Sequence, residues 1–131
     1  MKQACHNNRT IFLIEDDEAI LESLKEILEL SAYSVLSASN GKQALDMLKE
    51  RRATKKMMPS LILLDLMMPV MDGFEFRSQQ LLEGEISDIP VVVMSAAGQI
   101  DKKVKEISVT AYLKKPINID VLLETVDRYS K

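Results

Sequence analysis

The sequence predicts an α/β fold in which five strands alternate with five helices in a doubly wound parallel sheet. The first observation is three short apolar runs, at 11–14, at 61–64 and within 89–98. Such runs are too short for a buried helix and suit strands that are buried on both faces of a parallel sheet. The second observation is apolar residues at helical spacing between the runs. This alternation favours right-handed crossovers that cover both faces of one sheet.

The chain length predicts a single domain. With 131 residues, the chain can bury about two-thirds of the surface that its unfolded form exposes. We expect a flexible N-terminal tail over residues 1–9 and one domain over 10–131. A net charge of −3 gives no general attraction to nucleic acid or to an anionic membrane. No segment approaches the ~20 continuous apolar residues of a membrane span.

The N-terminal residues predict a cytoplasmic location. The single cysteine, Cys5, has no partner for an internal disulfide, and the first residues lack the apolar stretch of a secretory signal. Cys5 and His6 together offer two metal ligands. Two ligands in a polar terminus favour a solvated tail over a metal site.

The first half of the chain predicts two units of a strand and a helix. Residues 18–31 are expected to form helix 1, and residues 33–38 strand 2, closed by Asn40 and Gly41. Helix 2 is expected to bury Ala44, Leu45 and Leu48. The basic run at 49–56 lacks the aromatic residues that stack on bases, and positive charge is favourable at a helix C-terminus. We therefore interpret this run as a solvated helix end.

The second half predicts three further helices. Helix 3 is expected over residues 73–83, with Phe74 and Leu81 buried. Between 101 and 107 the apolar positions are few, which predicts a short, weakly anchored helix 4. Residues 111–117 then form strand 5, and Asn118 caps helix 5, which continues to the C-terminus.

Polar side chains follow four of the predicted strands. Asp65 ends the central run, and a dense acidic stretch at 15–18 follows the first. Asp65 could instead start a turn, and acids also suit the first turn of a helix. If the two strands are neighbours, however, Glu15, Asp16 and Asp65 converge and require a cation to offset their repulsion. Hard oxygen ligands without His or Cys select Mg²⁺ or Mn²⁺.

A hydroxyl and an ammonium group complete this pattern. Ser95 ends strand 4, and Lys114 and Lys115 end strand 5. Such groups can bind the oxygens of a phosphoryl group whose acceptor is Asp65. Ser95 could also cap a helix, and one of the two lysines must face solvent. Four strand ends with compatible groups favour the functional interpretation.

With these motifs in place, the chain resembles a receiver domain of a two-component response regulator, of the chemotaxis-regulator type. The resemblance runs from Thr10 to about Tyr129. The matching positions are Glu15 and Asp16, Asp65, Pro69, Gly73, Ser95, Tyr112, and Lys115 before Pro116. The stretch from Ser95 to Lys115 is shorter than usual for the family and lacks the usual glycine before the Tyr112 strand.

The resemblance implies a flavodoxin-like strand order, 2-1-3-4-5, and a set of roles. Asp65 would be the phosphoacceptor, served by a sensor histidine kinase or a histidine phosphotransfer protein. Asp16 would bind Mg²⁺ directly, Glu15 through water, and Met67 through its backbone carbonyl. Ser95 and Tyr112 would form a switch that acts on a downstream protein through the face of helix 4, strand 5 and helix 5. Met67 and Ala97 would flank the path of the water that removes the phosphoryl group.

Two other classes of function remain open at this point. A phosphohydrolase with an aspartyl nucleophile usually needs a second acid two residues later, where this chain has Met67. An interaction module that works without phosphorylation would not need the complete set of polar residues. We therefore favour a response regulator, which is not an enzyme beyond its own phosphorylation and dephosphorylation.

Overall fold

The computed structural model describes residues 9–68, 70–96 and 109–130, and within them five parallel strands form one sheet. The strands are β1 (Thr10–Ile14), β2 (Ser34–Ala38), β3 (Leu61–Asp65), β4 (Val91–Ala96) and β5 (Ala111–Lys115). Their order is β2-β1-β3-β4-β5, and all neighbouring pairs are parallel. The predicted doubly wound sheet in the order 2-1-3-4-5 is confirmed.

Five helices lie in the described part of the chain. They are α1 (Glu18–Leu30), α2 (Gly41–Ala53), α3 (Gly73–Gln80), α4 (Gly84–Ser87) and α5 (Ile119–Tyr129). Four of them begin at a side chain that accepts a hydrogen bond from a backbone N–H of the first turn: Asp17, Asn40, Asp72 and Asn118. These caps satisfy donors that a helix start otherwise leaves unpaired. No helix in these segments is long and apolar enough to cross a membrane.

The sheet separates two apolar clusters because alternate residues of a strand point to opposite faces. Phe12, Ile62 and Val93 pack with buried residues of α2 and α3 on one face. Ile11, Leu63 and Met94 pack with α1 and α5 on the other. Burial on both faces explains why the central strands are continuous apolar runs.

The helix predicted over 73–83 is shorter than expected. α3 ends at Gln80, and the chain turns before the four-residue α4, which the sequence pattern did not indicate. Leu81 was wrongly predicted as buried: it is 48% exposed, whereas Phe76 is fully buried. Gln80 explains the turn, because its buried side-chain amide donates to the carbonyl oxygens of Ile86 and Ile89 at 2.9 and 3.1 Å.

The basic run at the end of α2 makes contacts within the chain. Arg51 donates to the carbonyl oxygen of Met57 at 2.6 and 2.9 Å. Arg52 and Lys49 pair with Glu83 at 2.9 and 3.6 Å. These contacts support the interpretation of the run as a helix end.

Some predictions fall at or beyond the limits of the described residues. Arg9, the last residue of the predicted tail, donates to Asp127 at 2.9 Å, and the rest of the tail is outside. The helix predicted over 101–107 is also outside, as is Pro69.

Candidate functional site

Strand ends from across the sheet meet at one edge. Ile14 of β1 pairs with Leu64 of β3, and Asp65 pairs with Met94 of β4. In this parallel register, the residue after Ile14 lies level with Asp65. The predicted convergence of the polar strand ends is confirmed, because a cavity of about 290 Å³ is lined by residues from four of them. They include Glu15, Asp65, Ser95 and Lys115.

Three acids form a cluster at this edge. Carboxylate oxygens of Glu15, Asp16 and Asp65 lie within 4.8 Å of one another. Glu15 and Asp65 are 1% and 4% exposed, whereas Asp16 is exposed to solvent. An all-oxygen donor set open to solvent on one side fits a hard divalent cation such as Mg²⁺.

Backbone contacts that the sequence did not reveal hold Glu15 in this cluster. Its N–H donates to the carbonyl oxygen of Ala38 at 3.1 Å, and its Oε2 accepts from the N–H of Asp17 at 3.1 Å. The Asp17 carboxylate itself accepts from the N–H of Ile20 and caps α1. Asp17 therefore serves the start of the helix.

Alternation along β5 decides which of the two lysines reaches the acids. Leu113 is buried in the cluster beneath α1 and α5, so Lys115, two residues later, points to the same side of the sheet. Its Nζ lies 2.8 Å from Glu15 Oε1 and 3.4 Å from Asp65 Oδ1. Lys114 is exposed.

The acid cluster perturbs Asp65 strongly. Burial, followed by the hydrogen bond and the negative charge of Glu15, raises the pKa of Asp65 from 3.8 to about 7. Lys115 and the N–H of Met67, which donates to Asp65 Oδ1 at 3.3 Å, oppose the shift without cancelling it. A further cation beside Asp65 would lower this pKa and favour the ionised carboxylate.

Lys115 remains charged in this environment. Burial on its own lowers the pKa of the ammonium group. The hydrogen bond to Glu15 and the charges of Asp65 and Glu15 outweigh burial, and the pKa is raised. Lys115 therefore presents a fixed positive charge to the cavity at neutral pH.

The remaining predicted site residues differ in their surroundings. Ser95 is buried, and its hydroxyl donates to the carbonyl oxygen of Ala96 across a long contact of 3.5 Å, which holds it weakly. Met67 lines the cavity and is 59% exposed. Tyr112 is 51% exposed and, by alternation, lies on the opposite side of β5 from Lys115. Ala97 lies outside the described residues.

Gly73 is a site residue whose importance comes from packing rather than from chemistry. A Cβ atom there would lie 2.8 Å from the carbonyl oxygen of Asp65 and 2.8 Å from Leu66 Cα. The glycine therefore lets α3 begin against the backbone of the acid. A glycine eight residues after a strand-end acid is the only sequence signal for this contact.

Comparison with known proteins identifies the family. The profile of the response regulator receiver domain matches residues 11–127. The chain belongs to this family. It is 28% identical over 123 residues to the polar-differentiation response regulator DivK of Brucella anthropi, covering 92% of this chain and 95% of DivK. It is 32% identical over 124 residues to the sporulation initiation phosphotransferase F of Bacillus subtilis, covering 93% of this chain and 94% of that protein.

The receiver domain also matches longer relatives and solved structures. It spans 46% of the length of other curated relatives, to which it is 36% identical over 115 residues. The structure of the chemotaxis protein CheY4 of Vibrio cholerae superposes with a TM-score of 0.79 at 24% identity, over 92% of this chain and 98% of CheY4. Receiver domains act as phosphoryl acceptors and switches in two-component signalling and phosphorelays, rather than as ordinary enzymes.

Proposed function

We propose that this receiver domain is a single-domain response regulator that accepts a phosphoryl group on Asp65 in a reaction that depends on Mg²⁺. The donor would be a phosphohistidine of a sensor histidine kinase or of a histidine phosphotransfer protein. The observation that carries the proposal is the position of the buried Asp65 within an acid cluster and 3.4 Å from Lys115 Nζ. The acid cluster suits a cation, and the ammonium group suits a phosphoryl oxygen.

Asp65 would act as the nucleophile. One of its oxygens forms a bond to phosphorus while the N–P bond to the donor histidine breaks and its electron pair returns to the ring. The carboxylate must be ionised to attack, whereas burial and Glu15 favour its protonated form. A bound divalent cation would lower its pKa and offset charge on the phosphoryl oxygens.

The remaining polar groups would hold the phosphoryl oxygens and the cation. Lys115 would pair with one oxygen, and Ser95 would donate a hydrogen bond to another. Asp16 and the backbone carbonyl of Met67 would bind Mg²⁺ or Mn²⁺ directly, together with Asp65. A contact through water suits Glu15, because its two oxygens already accept from Lys115 and from the N–H of Asp17.

The output would be a two-state switch. Phosphorylation adds a charge of about −2 beside Ser95, which would move toward it while Tyr112 turns inward. The affected face would comprise the segment between β4 and β5, β5 itself and α5. Amide exchange over residues 96–130, measured with and without the phosphoryl mimic beryllofluoride, tests this switch. Unchanged exchange would exclude it.

Phosphorylation itself is tested by substitution of the acceptor. Asp65→Asn should abolish labelling of the protein by a small acyl phosphate in Mg²⁺. Asp72→Asn is the matched control, because asparagine also caps helices and Asp72 caps α3 away from the cavity. Undiminished labelling of Asp65→Asn would refute the assignment.

The partners are proposed by class only. The similarity to a response regulator and to a phosphotransferase suits either an end effector or an intermediate in a relay. We propose a cytoplasmic protein whose downstream partner is another protein, without direct contact with nucleic acid or membrane. Phosphotransfer measured against each histidine kinase of the source organism would identify the donor, since the cognate pair should react fastest.

A further inference from the structure

The loop between β3 and α3, described at residues 66–68 and 70–72, contacts the Asp65 side chain through its backbone. Its Met67 N–H donates to Asp65 Oδ1 at 3.3 Å. The loop also contains Val70, whose φ of +68° is a strained conformation for a β-branched residue. Strain of this kind persists only where surrounding contacts hold the backbone in place.

One such contact is at the end of the loop. The N–H of Gly73 donates to the carbonyl oxygen of Leu66 at 3.0 Å. Together with the close approach of Gly73 to Asp65, this bond closes the loop upon itself. Within the loop, Met68 is buried in a core cluster and Met71 packs against it, and a second backbone contact holds the Met71 carbonyl oxygen.

That second contact comes from Gly41, the first residue of α2. Its N–H donates to the carbonyl oxygen of Met71 at 3.1 Å. A Cβ atom at position 41 would lie 2.8 Å from that oxygen and 2.9 Å from Met71 Cγ. Real Cβ atoms do not approach a backbone oxygen so closely, so any side chain at this position would displace one of the two segments.

The start of α2 is held more firmly than the loop. Asn40 Oδ1 accepts from the N–H of Gln43 at 2.9 Å, and Gln43 Oε1 accepts from the N–H of Ser39 at 2.7 Å. This reciprocal arrangement resembles a capping box. The first turn also buries Ala44 fully. A side chain at position 41 would therefore displace the strained loop rather than the helix.

We propose that Gly41 is a positioning residue of the phosphorylation site, which acts by holding the Met71 carbonyl and thereby the loop that presents Met67 to Asp65. The inference rests on the proposed function where it assigns the Met67 carbonyl to the metal. The effect of Gly41 on the hydrogen bond from the Met67 N–H to Asp65 does not depend on that assignment.

The test compares Gly41→Ala with Gly84→Ala. Gly84 has a φ of +41°, and a Cβ atom added there would have no atom within 4 Å, so alanine strains the backbone without contacting the loop. Both variants should unfold at lower temperature than the parent. Only Gly41→Ala should bind Mg²⁺ more weakly, by about tenfold in calorimetry, as is typical when support of a metal ligand is lost. Only Gly41→Ala should also speed amide exchange at Met67 in metal-free protein.

A double variant separates the side-chain and backbone effects. Gly41→Ala with Met71→Ala removes the overlap at Met71 Cγ and retains the overlap at the carbonyl oxygen. Its Mg²⁺ affinity should stay low, because the overlap with the carbonyl oxygen remains, and it replaces the single variant if that variant does not fold. Parent-like Mg²⁺ affinity and Met67 exchange in these variants would overturn the inference. Failure of the parent to bind Mg²⁺ would instead overturn the proposed function, while the exchange measurement would still test the role of Gly41.

Discussion

Replacing Asp65 by asparagine should stabilise the metal-free protein at neutral and higher pH, although it removes the proposed phosphoacceptor. Asparagine has nearly the same shape, and its side-chain oxygen can keep the 3.3 Å hydrogen bond from the Met67 N–H. The substitution removes a buried negative charge beside Glu15. The variant therefore measures the free-energy cost of ionising Asp65.

The size of that cost follows from the pKa of Asp65, which burial and Glu15 raise from 3.8 to about 7. Between these values the folded protein keeps a proton that the unfolded chain has lost. The stabilisation from protonated Asp65 is thus complete at low pH and is lost as the pH rises through about 7. Between the two pKa values, each pH unit lowers the free energy of unfolding by about 1.4 kcal/mol. Above about pH 7 the total loss of stability therefore approaches about 4 kcal/mol.

Urea unfolding in the presence of a chelator measures this effect. The free energy of unfolding of Asp65→Asn minus that of the parent should grow by about 3 kcal/mol from about pH 5 to about pH 8. The control Asp72→Asn should show no such growth, because Asp72 caps a helix at the surface. A difference that does not change with pH, or an Asp65→Asn variant that is less stable than the parent at about pH 8, would contradict the raised pKa of Asp65.

Three further predictions concern the same site. Lys115→Ala should lower the free energy of unfolding by about 2 kcal/mol and slow acyl phosphate labelling, because Lys115 pairs with two buried carboxylates. Lys114→Ala is its exposed control, and equal losses would contradict the assignment of Lys115. Mg²⁺ at about 100 times its dissociation constant should stabilise the parent by about 2.7 kcal/mol and Asp65→Asn much less; equal gains would place the ion elsewhere. Met67 and Ala97 carry no group that orients or deprotonates water. Met67→Asn and Ala97→Glu should therefore speed loss of phosphate from the isolated protein, because the amide can orient the attacking water and the carboxylate can also act as a general base, which contributes about 10² to 10⁴ in rate. Parent-like decay would show that a missing polar group does not set the phosphate lifetime.

The sequence was most informative where local patterns have one physical solution. The runs that form β1, β3 and β4 are apolar because these strands are buried on both faces of the sheet. Such runs can be recognised in the sequence alone. The caps of α1 and α5 were also predictable, since Asp17 and Asn118 need only their own first turn to form the hydrogen bond. Because parallel strands end at the same edge of the sheet, the predicted strands also indicated that the acids following them form a cluster.

The end of α3 depended on contacts that are distant in sequence. Its helical pattern continues through Leu81, but the helix ends at Gln80. The side-chain amide of Gln80 donates to the carbonyl oxygens of Ile86 and Ile89. A buried amide that satisfies two carbonyl groups stabilises the turn over a longer helix. Propensity and spacing contain no information about that pairing.

The fold class, the family and the residue types that meet at the edge of the sheet were therefore evident from the amino-acid pattern. Tertiary packing was needed to show that Lys115 rather than Lys114 faces Asp65, that Glu15 is held by Ala38 and Asp17, and that Gly41 contacts Met71. This difference arises because strand and helix periodicity are properties of neighbouring residues. Distances between side chains, and the pKa values that follow from them, depend on how separate elements pack.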